Sequence, residues 1–335
     1  MKQIVFLFFL YASFSYSQVG GERVYNFLNI TSFAKQASLG GKTLTLLNNV
    51  NQPVWNPSTI NTALSDVISV NYLNYLTDVN LASLSYAKNF NNLGTFHSNI
   101  TYLNYGKFIE ADEDGNELGT FKAYDLALNI GYAYQIPNSY WVVGANLKFI
   151  NSIIQNYSSF GLATDLGFLY NNKNKPYVVT VVARNLGYQL SSYNEYREKL
   201  PLDIALGFAY QLQNVPMKWH LTIDSVQQWD ISVSNPSNSE TDLEGNTTEE
   251  EIGFFNNALR HFTLGVELFP KNNFNLNLGY NFRRAKELNL VDKRSFAGFT
   301  AGFGLKMNTF RINYAFSKYH SASNTSTFSL HINLN

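Results

Sequence analysis

The chain has no cysteine. Disulfides, thiolate catalysis and cysteine-based zinc or iron–sulfur sites are therefore excluded. It is also poor in charge: Asp, Glu, Lys and Arg make up 14 % of its 335 residues, against roughly 25 % in an ordinary soluble domain. The 24 basic and 24 acidic side chains cancel, which gives no argument for nucleic acid, a partner that would want a basic face. Long apolar runs are missing too. Beyond the N-terminus nothing approaches the run of about 18 apolar residues that a spanning helix needs, and the mean hydropathy is slightly negative. Catalytic patterns are lacking as well. His97, His220, His261, His320 and His331 are scattered, with no H-E-x-x-H, no H-x-H, no G-x-S-x-G and no phosphate loop. The expectation is a chain that is not an enzyme and has no catalytic, metal-binding or cofactor-binding residues and no cofactor.

Aromatic residues, by contrast, are abundant at 16 %, with 26 Phe and 22 Tyr. From about residue 66 they fall into period-2 stripes, the pattern of half-buried strands. Phe274, Leu276, Leu278, Tyr280 and Phe282 alternate with Asn275, Asn277, Gly279, Asn281 and Arg283. Tyr124, Leu126, Leu128, Ile130, Tyr132 and Tyr134 alternate with Asp125, Ala127, Asn129, Gly131 and Ala133. Phe310–Phe316 and Phe328–Leu334 read the same way. One face is bulky and apolar, the other small or polar, as lipid and a polar lumen require.

Fourteen such segments can be drawn: 66–76, 79–89, 94–106, 121–136, 140–154, 158–171, 176–190, 201–212, 217–230, 258–269, 273–283, 296–307, 309–319 and 325–334. The predicted fold is all-β, a 14-stranded antiparallel transmembrane β-barrel with an N-terminal plug segment. Every second connection is short and turn-like, whereas 107–120, 191–200, 231–257 and 284–295 are long. Short periplasmic turns and longer extracellular loops follow this rule. A soluble β-sandwich or up-and-down barrel also alternates. In water, however, these stripes would expose a large apolar patch. The phase in 273–283 predicts Leu278 against lipid and Asn277 inward, with Arg milder at Asn277 than at Leu278.

Three regions follow from this reading: 1–17, 18–65 and 66–335. Lys2, the apolar stretch Ile4–Phe14 and Ser15-Tyr16-Ser17 predict a cleaved signal peptide that leaves Gln18 first; a buried N-terminal helix is the alternative. Residues 18–65 lack sustained alternation, and Ala34–Leu39 predicts a short helix ended by Gly40-Gly41. This segment is expected to be a plug inside the barrel 66–335, or else a periplasmic tail.

Phe27-Leu28-Asn29-Ile30-Thr31-Ser32-Phe33-Ala34-Lys35-Gln36-Ala37-Ser38-Leu39-Gly40-Gly41 resembles the N-terminal signature of the PorV/PorQ family, F-L followed by S-A-R-x-A-x-L-G-G. Asn56-Pro57-Ser58 resembles the N-P-A step after it, found there and in FadL-like fatty-acid transporters. The opening Gly20-Gly21-Glu22-Arg23-Val24-Tyr25-Asn26 is similar to the PorQ branch. Phe27, Leu28, Ser32, Ala34, Leu39, Gly40, Gly41, Asn56 and Pro57 carry the match within about forty residues. Two features depart from it: Lys35 stands for the Arg and is displaced by one, and Leu334-Asn335 replaces a terminal aromatic. The resemblance implies an outer-membrane anchor of the type IX secretion system. It would hold a PorZ-like surface protein, with PorU and PorV, in the complex that attaches cargo to lipopolysaccharide amid outer-membrane lipid. A FadL-like transporter of long-chain fatty acids or other hydrophobic compounds is the alternative.

Two acidic stretches remain. Glu110–Glu117 places Gly115 at the sixth position of a calcium loop if Glu110 is the first, but Phe121 then stands where a bidentate Glu must be. A solvated hairpin tip is the better reading. The second stretch, 239–252, holds Glu240, Asp242, Glu244, Glu249, Glu250 and Glu251 without a cation. Glu249, Glu250, Glu251, Ile252, Phe254 and Phe255 are the candidate partner contacts, with the apolar three as anchors or as caps on the barrel rim.

Overall fold

The computed structural model describes residues 23–232, 240–241, 247–248, 252–288, 296–320 and 323–334. Fourteen antiparallel strands close into one barrel. They are β1 (Val67–Leu76), β2 (Val79–Phe90), β3 (Gly94–Ala111), β4 (Glu117–Gln135), β5 (Trp141–Ile154), β6 (Tyr157–Asn171) and β7 (Tyr177–Ser191). The others are β8 (Asp203–Gln211), β9 (Met217–Ile223), β10 (Phe262–Leu268), β11 (Phe274–Asn281), β12 (Phe299–Lys306), β13 (Phe310–His320) and β14 (Ser323–Asn333). The seam pairs β1 with β14, Val67 opposite Asn333 and Asn74 opposite Ser326. Closure leaves no ladder edge, which a strand in hydrocarbon requires.

The alternation emerges as two faces. Along β11, Asn275, Asn277 and Asn281 are buried while Phe274, Leu276 and Leu278 are exposed. Outward residues such as Leu84, Ile100, Ile130, Leu147, Leu166, Phe208 and Ile312 form an apolar band around the wall. No described helix is long and apolar enough to cross a membrane; the strands do the crossing. An aromatic girdle rings the short-turn end. Trp141 stacks on Phe168 at 4.5 Å, Tyr170 on Tyr177 at 5.9 Å, and Phe96 tilts against Tyr132 at 5.1 Å. Such rings anchor a barrel at the headgroup level.

The wall is uneven. β3 and β4 have 18 and 19 residues, whereas β9 and β10 have 7 each. Four sequence-based boundaries change accordingly. Residues 107–120, expected as a loop, mostly continue β3 and β4, with Phe108 stacked on Phe121. β9 stops at Ile223 rather than 230, because Ser225 turns left-handed at φ 57°. The start of 258–269 is helical: α2 (Phe254–Arg260) precedes β10. Finally, Asn281 ends β11 by capping α3 (Phe282–Glu287), its side chain accepting from the Arg284 amide at 2.9 Å.

The segment before β1 lies inside the barrel. It starts at the long-loop end, where the Val24 amide donates to the Lys199 carbonyl at 3.0 Å. It reaches the short-turn end at Asp66, whose amide donates to Ala87 at 2.8 Å. Between them lie α1 (Ala34–Ser38) and single 3-10 turns at Asn26–Asn29, Gln52–Val54, Pro57–Thr59 and Thr62–Leu64.

Candidate functional site

The inner segment and the lumen wall form one packed unit. α1 ends where Gly40 and Gly41 take φ of 92° and 90°, values that L side chains rarely adopt. The Gly41 amide donates to the Gln36 carbonyl at 2.9 Å, closing the helix end. The Gly40 amide donates to Thr300 Oγ1 at 2.9 Å, and that hydroxyl donates to the Ser38 carbonyl at 2.9 Å. At Gly279 of β11 a Cβ would stand 2.1 Å from the Gly40 nitrogen, so a glycine is needed there for the two backbones to meet. We expect Gly279→Val to keep a closed, heat-modifiable barrel but to displace α1, at a cost of about 1–3 kcal/mol for overpacking. Limited proteolysis within 31–60 and single-channel conductance should both rise. Unchanged protection and conductance would refute the close approach.

The second motif is held as tightly. Asn56 caps the Pro57–Thr59 turn, its Oδ1 accepting from the Ser58 amide at 3.1 Å. Its Nδ2 donates to the Leu44 carbonyl at 2.9 Å and to Thr180 Oγ1 at 3.0 Å, tying the turn to β7. Pro57 lies against Gly144 of β5, where a Cβ would be 2.3 Å from the Pro57 carbonyl carbon. Phe27 packs with Leu73, Leu81 and Leu103, and Leu39 with Phe33, Leu44, Trp55 and Val182. The Ala34 amide donates to Ser329 Oγ at 2.9 Å, while Ser32 is buried. Lys35 pairs with Glu267 of β10.

Charged groups inside the wall lock the same segment. Lys148 of β5 pairs with Asp165 of β6 at 2.8 Å and donates to Asn185 Oδ1 at 2.8 Å. Asp165 Oδ1 also accepts from the Asn185 amide at 2.8 Å. Arg184 lies over the Trp55 ring at 3.7 Å, donates to the Leu28 carbonyl at 2.9 Å and faces Asp203 at 3.6 Å. The one guanidinium thus joins β7 and β8 to Leu28 of the first motif and to Trp55, the residue before Asn56. Lys42 pairs with Asp224 just beyond β9. The cavity beside Asn129 and Lys148, between wall and plug, measures about 20 Å³, room for about one water.

The long-loop end carries the remaining candidates. The connection 191–200, expected as a long extracellular loop, folds back over the inner segment. Leu200 is buried with Phe27, and burial pushes the Tyr193 phenol up to about 12. Asp112 closes the β3–β4 turn by accepting from the Asn116 amide at 2.8 Å and its side chain at 2.9 Å. Those bonds hold its carboxyl below the ordinary carboxylate range. Glu110 points away, accepting from Gln155 at 2.9 Å. Among the described residues no three His, Asp or Glu converge on a metal position.

Phe254 and Phe255 stand on α2 and are 66 % and 81 % exposed, with Phe254 stacked on Trp229 at 4.7 Å. Ile252 is half-buried. Glu249, Glu250 and Glu251 lie outside the described residues, as do residues 1–17 and Gln18. The sequence reading set Asp125 on the inward face but missed the ion pair of Lys148 with Asp165, and α2. The inward phase of Lys148 and Asp165, in mid-strand, was the available signal for the first.

No protein-family model and no curated protein matches the chain. Solved structures do. A mutant of the monoaromatic hydrocarbon channel TodX superposes with a TM-score of 0.52 at 14 % identity, over 89 % of this chain and 96 % of that one. The Ralstonia pickettii toluene transporter TbuX gives 0.51 at 10 % identity, over 91 % and 98 %. A Pseudomonas aeruginosa FadL homologue gives 0.47 at 10 % identity, over 91 % and 100 %. At this identity the likeness to the TodX mutant and to TbuX concerns the fold alone, a closed β-barrel.

Proposed function

We propose that the chain is an exported outer-membrane barrel that anchors a partner at the cell surface and has no enzymatic role. The observation that carries this reading is the filled lumen. Residues 31–60 are held by capped turns, buried ion pairs and backbone contacts with glycines of the wall, leaving about 20 Å³ beside Asn129 and a space of about 220 Å³ only at the short-turn mouth among the described residues. A conduit for hydrophobic compounds would need a continuous apolar path, yet Asn71, Asn99, Asn146, Asp165 and Asn313 face inward. The N-terminal motif supplies the finer assignment: a PorQ-like subunit of the type IX attachment complex, with a PorZ-like partner alongside PorU and PorV.

A second reading is transport of long-chain fatty acids or other hydrophobic compounds, and it is the one the comparisons favour. Two barrels with this fold are described as a monoaromatic hydrocarbon channel and a toluene transporter. The anchor reading has no counterpart among them.

Affinity purification of the tagged protein from membranes, paired with uptake of radiolabelled toluene and oleate into vesicles carrying it, separates the two. An anchor brings down a surface protein and gives background uptake; a transporter does the reverse. Deletion of 237–251 should leave barrel abundance unchanged, since the described residues within it, 240–241 and 247–248, pair with each other and not with the closed ladder. It should release the partner from the membrane. Retention would move the contact to the β3–β4 tip or to 284–295.

A further inference from the structure

The barrel wall is lowest at β9 and β10, each of 7 residues. That is about two to four residues short of a strand that crosses hydrocarbon. α2 leads into β10 with only His261 between them. Its 7 residues add up to about 10 Å of helix at the long-loop end.

α2 is built inside out. Its buried side chains are polar: Asn257 and Arg260 are 4 % and 2 % exposed. Asn257 donates to the Trp229 carbonyl at 2.6 Å, and Arg260 faces Glu287 of α3 at 4.0 Å. The outer side carries Phe254, Phe255 and Leu259, with exposed Trp229 stacked on Phe254. A surface helix in water does the reverse and turns its apolar stripe to the core. Left in water, these rings would make one apolar patch.

The stripe also has a direction. His261 keeps helical angles, φ −75° and ψ −14°, so Phe255, Leu259 and Phe262 recur at i, i+4 and i+7 along one side. Phe262 shares the outward phase of Leu264 and Val266, because Thr263, Gly265 and Glu267 are buried inward. The outer side of α2 is therefore continuous with the lipid-facing band of the wall.

We propose that α2 lies in the membrane leaflet at the long-loop end, its apolar side seated where headgroups meet acyl chains. The occupant of this face is lipid, not a protein partner and not a second copy of the chain. The helix makes up the height that β9 and β10 lack. Its backbone is bonded within the helix, as hydrocarbon demands. Trp229 suits that depth, since an indole offers an apolar body and one N–H for the polar side of the boundary. The apolar face of such a helix rests about 5–10 Å into that boundary. The proposal goes beyond both functional readings and holds under either. It assigns Phe254 and Phe255 to the membrane and leaves partner docking to residues outside α2.

The chain has no cysteine, so Phe255→Cys and Leu259→Cys each provide a single thiol for an environment-sensitive fluorophore. Leu278→Cys in the apolar band and Asp114→Cys at the exposed β3–β4 tip provide the lipid and water references. Each full-length variant is reconstituted into phosphatidylcholine vesicles and checked for heat-modifiable mobility. Two quenchers are compared: iodide on both sides of the membrane, and lipids brominated either near the headgroup or deep in the chain. The labels at 255 and 259 should lose emission to the shallow bromine and keep it in iodide, while the label at 278 responds most to the deep bromine. Iodide quenching at 255 and 259 like that at 114 would place α2 in water and overturn the proposal. Shielding from iodide and from both bromines would place it against protein and overturn it too. Trp229 gives a check without a label. The emission that Trp229→Phe removes should be quenched by the shallow bromine; quenching of that emission by iodide alone would also overturn the proposal.

Discussion

Asp165→Ala is expected to destabilise the barrel by about 3–5 kcal/mol, the cost of stripping a buried cation of its partner. Lys148 and Asp165 have side chains only 3 % and 0 % exposed, and they meet at 2.8 Å. The carboxylate also accepts the Asn185 amide at 2.8 Å and the Asn146 amide group at 3.1 Å. Truncation would leave a buried ammonium with Asn185 alone and strand two further donors. The double variant Lys148→Met/Asp165→Ala should recover part of the loss, because the charge is gone although the two donors remain unmet. Urea midpoints in lipid vesicles, monitored by tryptophan fluorescence, measure both. A single variant within about 0.5 kcal/mol of wild type, the scatter of an innocuous substitution, would mean that the pair is not desolvated.

Leu278→Arg should cost about 2–4 kcal/mol, the value for a basic residue on a lipid face near mid-membrane. Leu278 is 52 % exposed in the apolar band and points away from the lumen. The alternation alone implied that Arg at Asn277 would be milder, as in a water-filled pore. The filled lumen changes that expectation. Asn277 is 1 % exposed, so an arginine there must force its way into packed side chains, at about 1–3 kcal/mol. Glu267 directly opposite offsets part of this. The origins differ and can be told apart. The Leu278→Arg penalty should grow on moving from detergent to bilayer, whereas that of Asn277→Arg should not. Removal of 31–60 should relieve only the second. If removal relieves both, the face assignment is wrong.

The strands were legible because one physical demand, lipid outside and a polar inside, writes itself on every second residue. β11 shows it without a break from Phe274 to Asn281. The same alternation misled where it outlasted the strand. Thr222, Asp224 and Val226 keep a plausible rhythm, but Ser225 turns left-handed, and the Gln227 side chain takes over the pairing of the β8 edge by accepting from the Ile204 amide at 2.8 Å. α2 was missed because Ala258 and Leu259 fit either period when read from the strand side. The inner segment was visible only as an absence of pattern around a motif. Its anchorage in the wall depends on residues such as Thr180 and Thr300, 124 and 262 positions from their partners, which no local window can join.

The path of the inner segment has a consequence for assembly. The chain runs through the lumen from Val24 beside Lys199 at one mouth to Asp66 beside Ala87 at the other. A thread of this kind cannot be drawn through a ring already narrowed by the wall side chains Arg184, Leu73, Leu81 and Leu103, all at most 1 % exposed. The ring must be fastened around the thread, so zipping Val67–Asn74 onto Asn333–Ser326 is the final stitch and not an early one. A pair of cysteines bridging β1 and β14 before folding would then trap an empty hoop, with the inner segment left on the side from which it came.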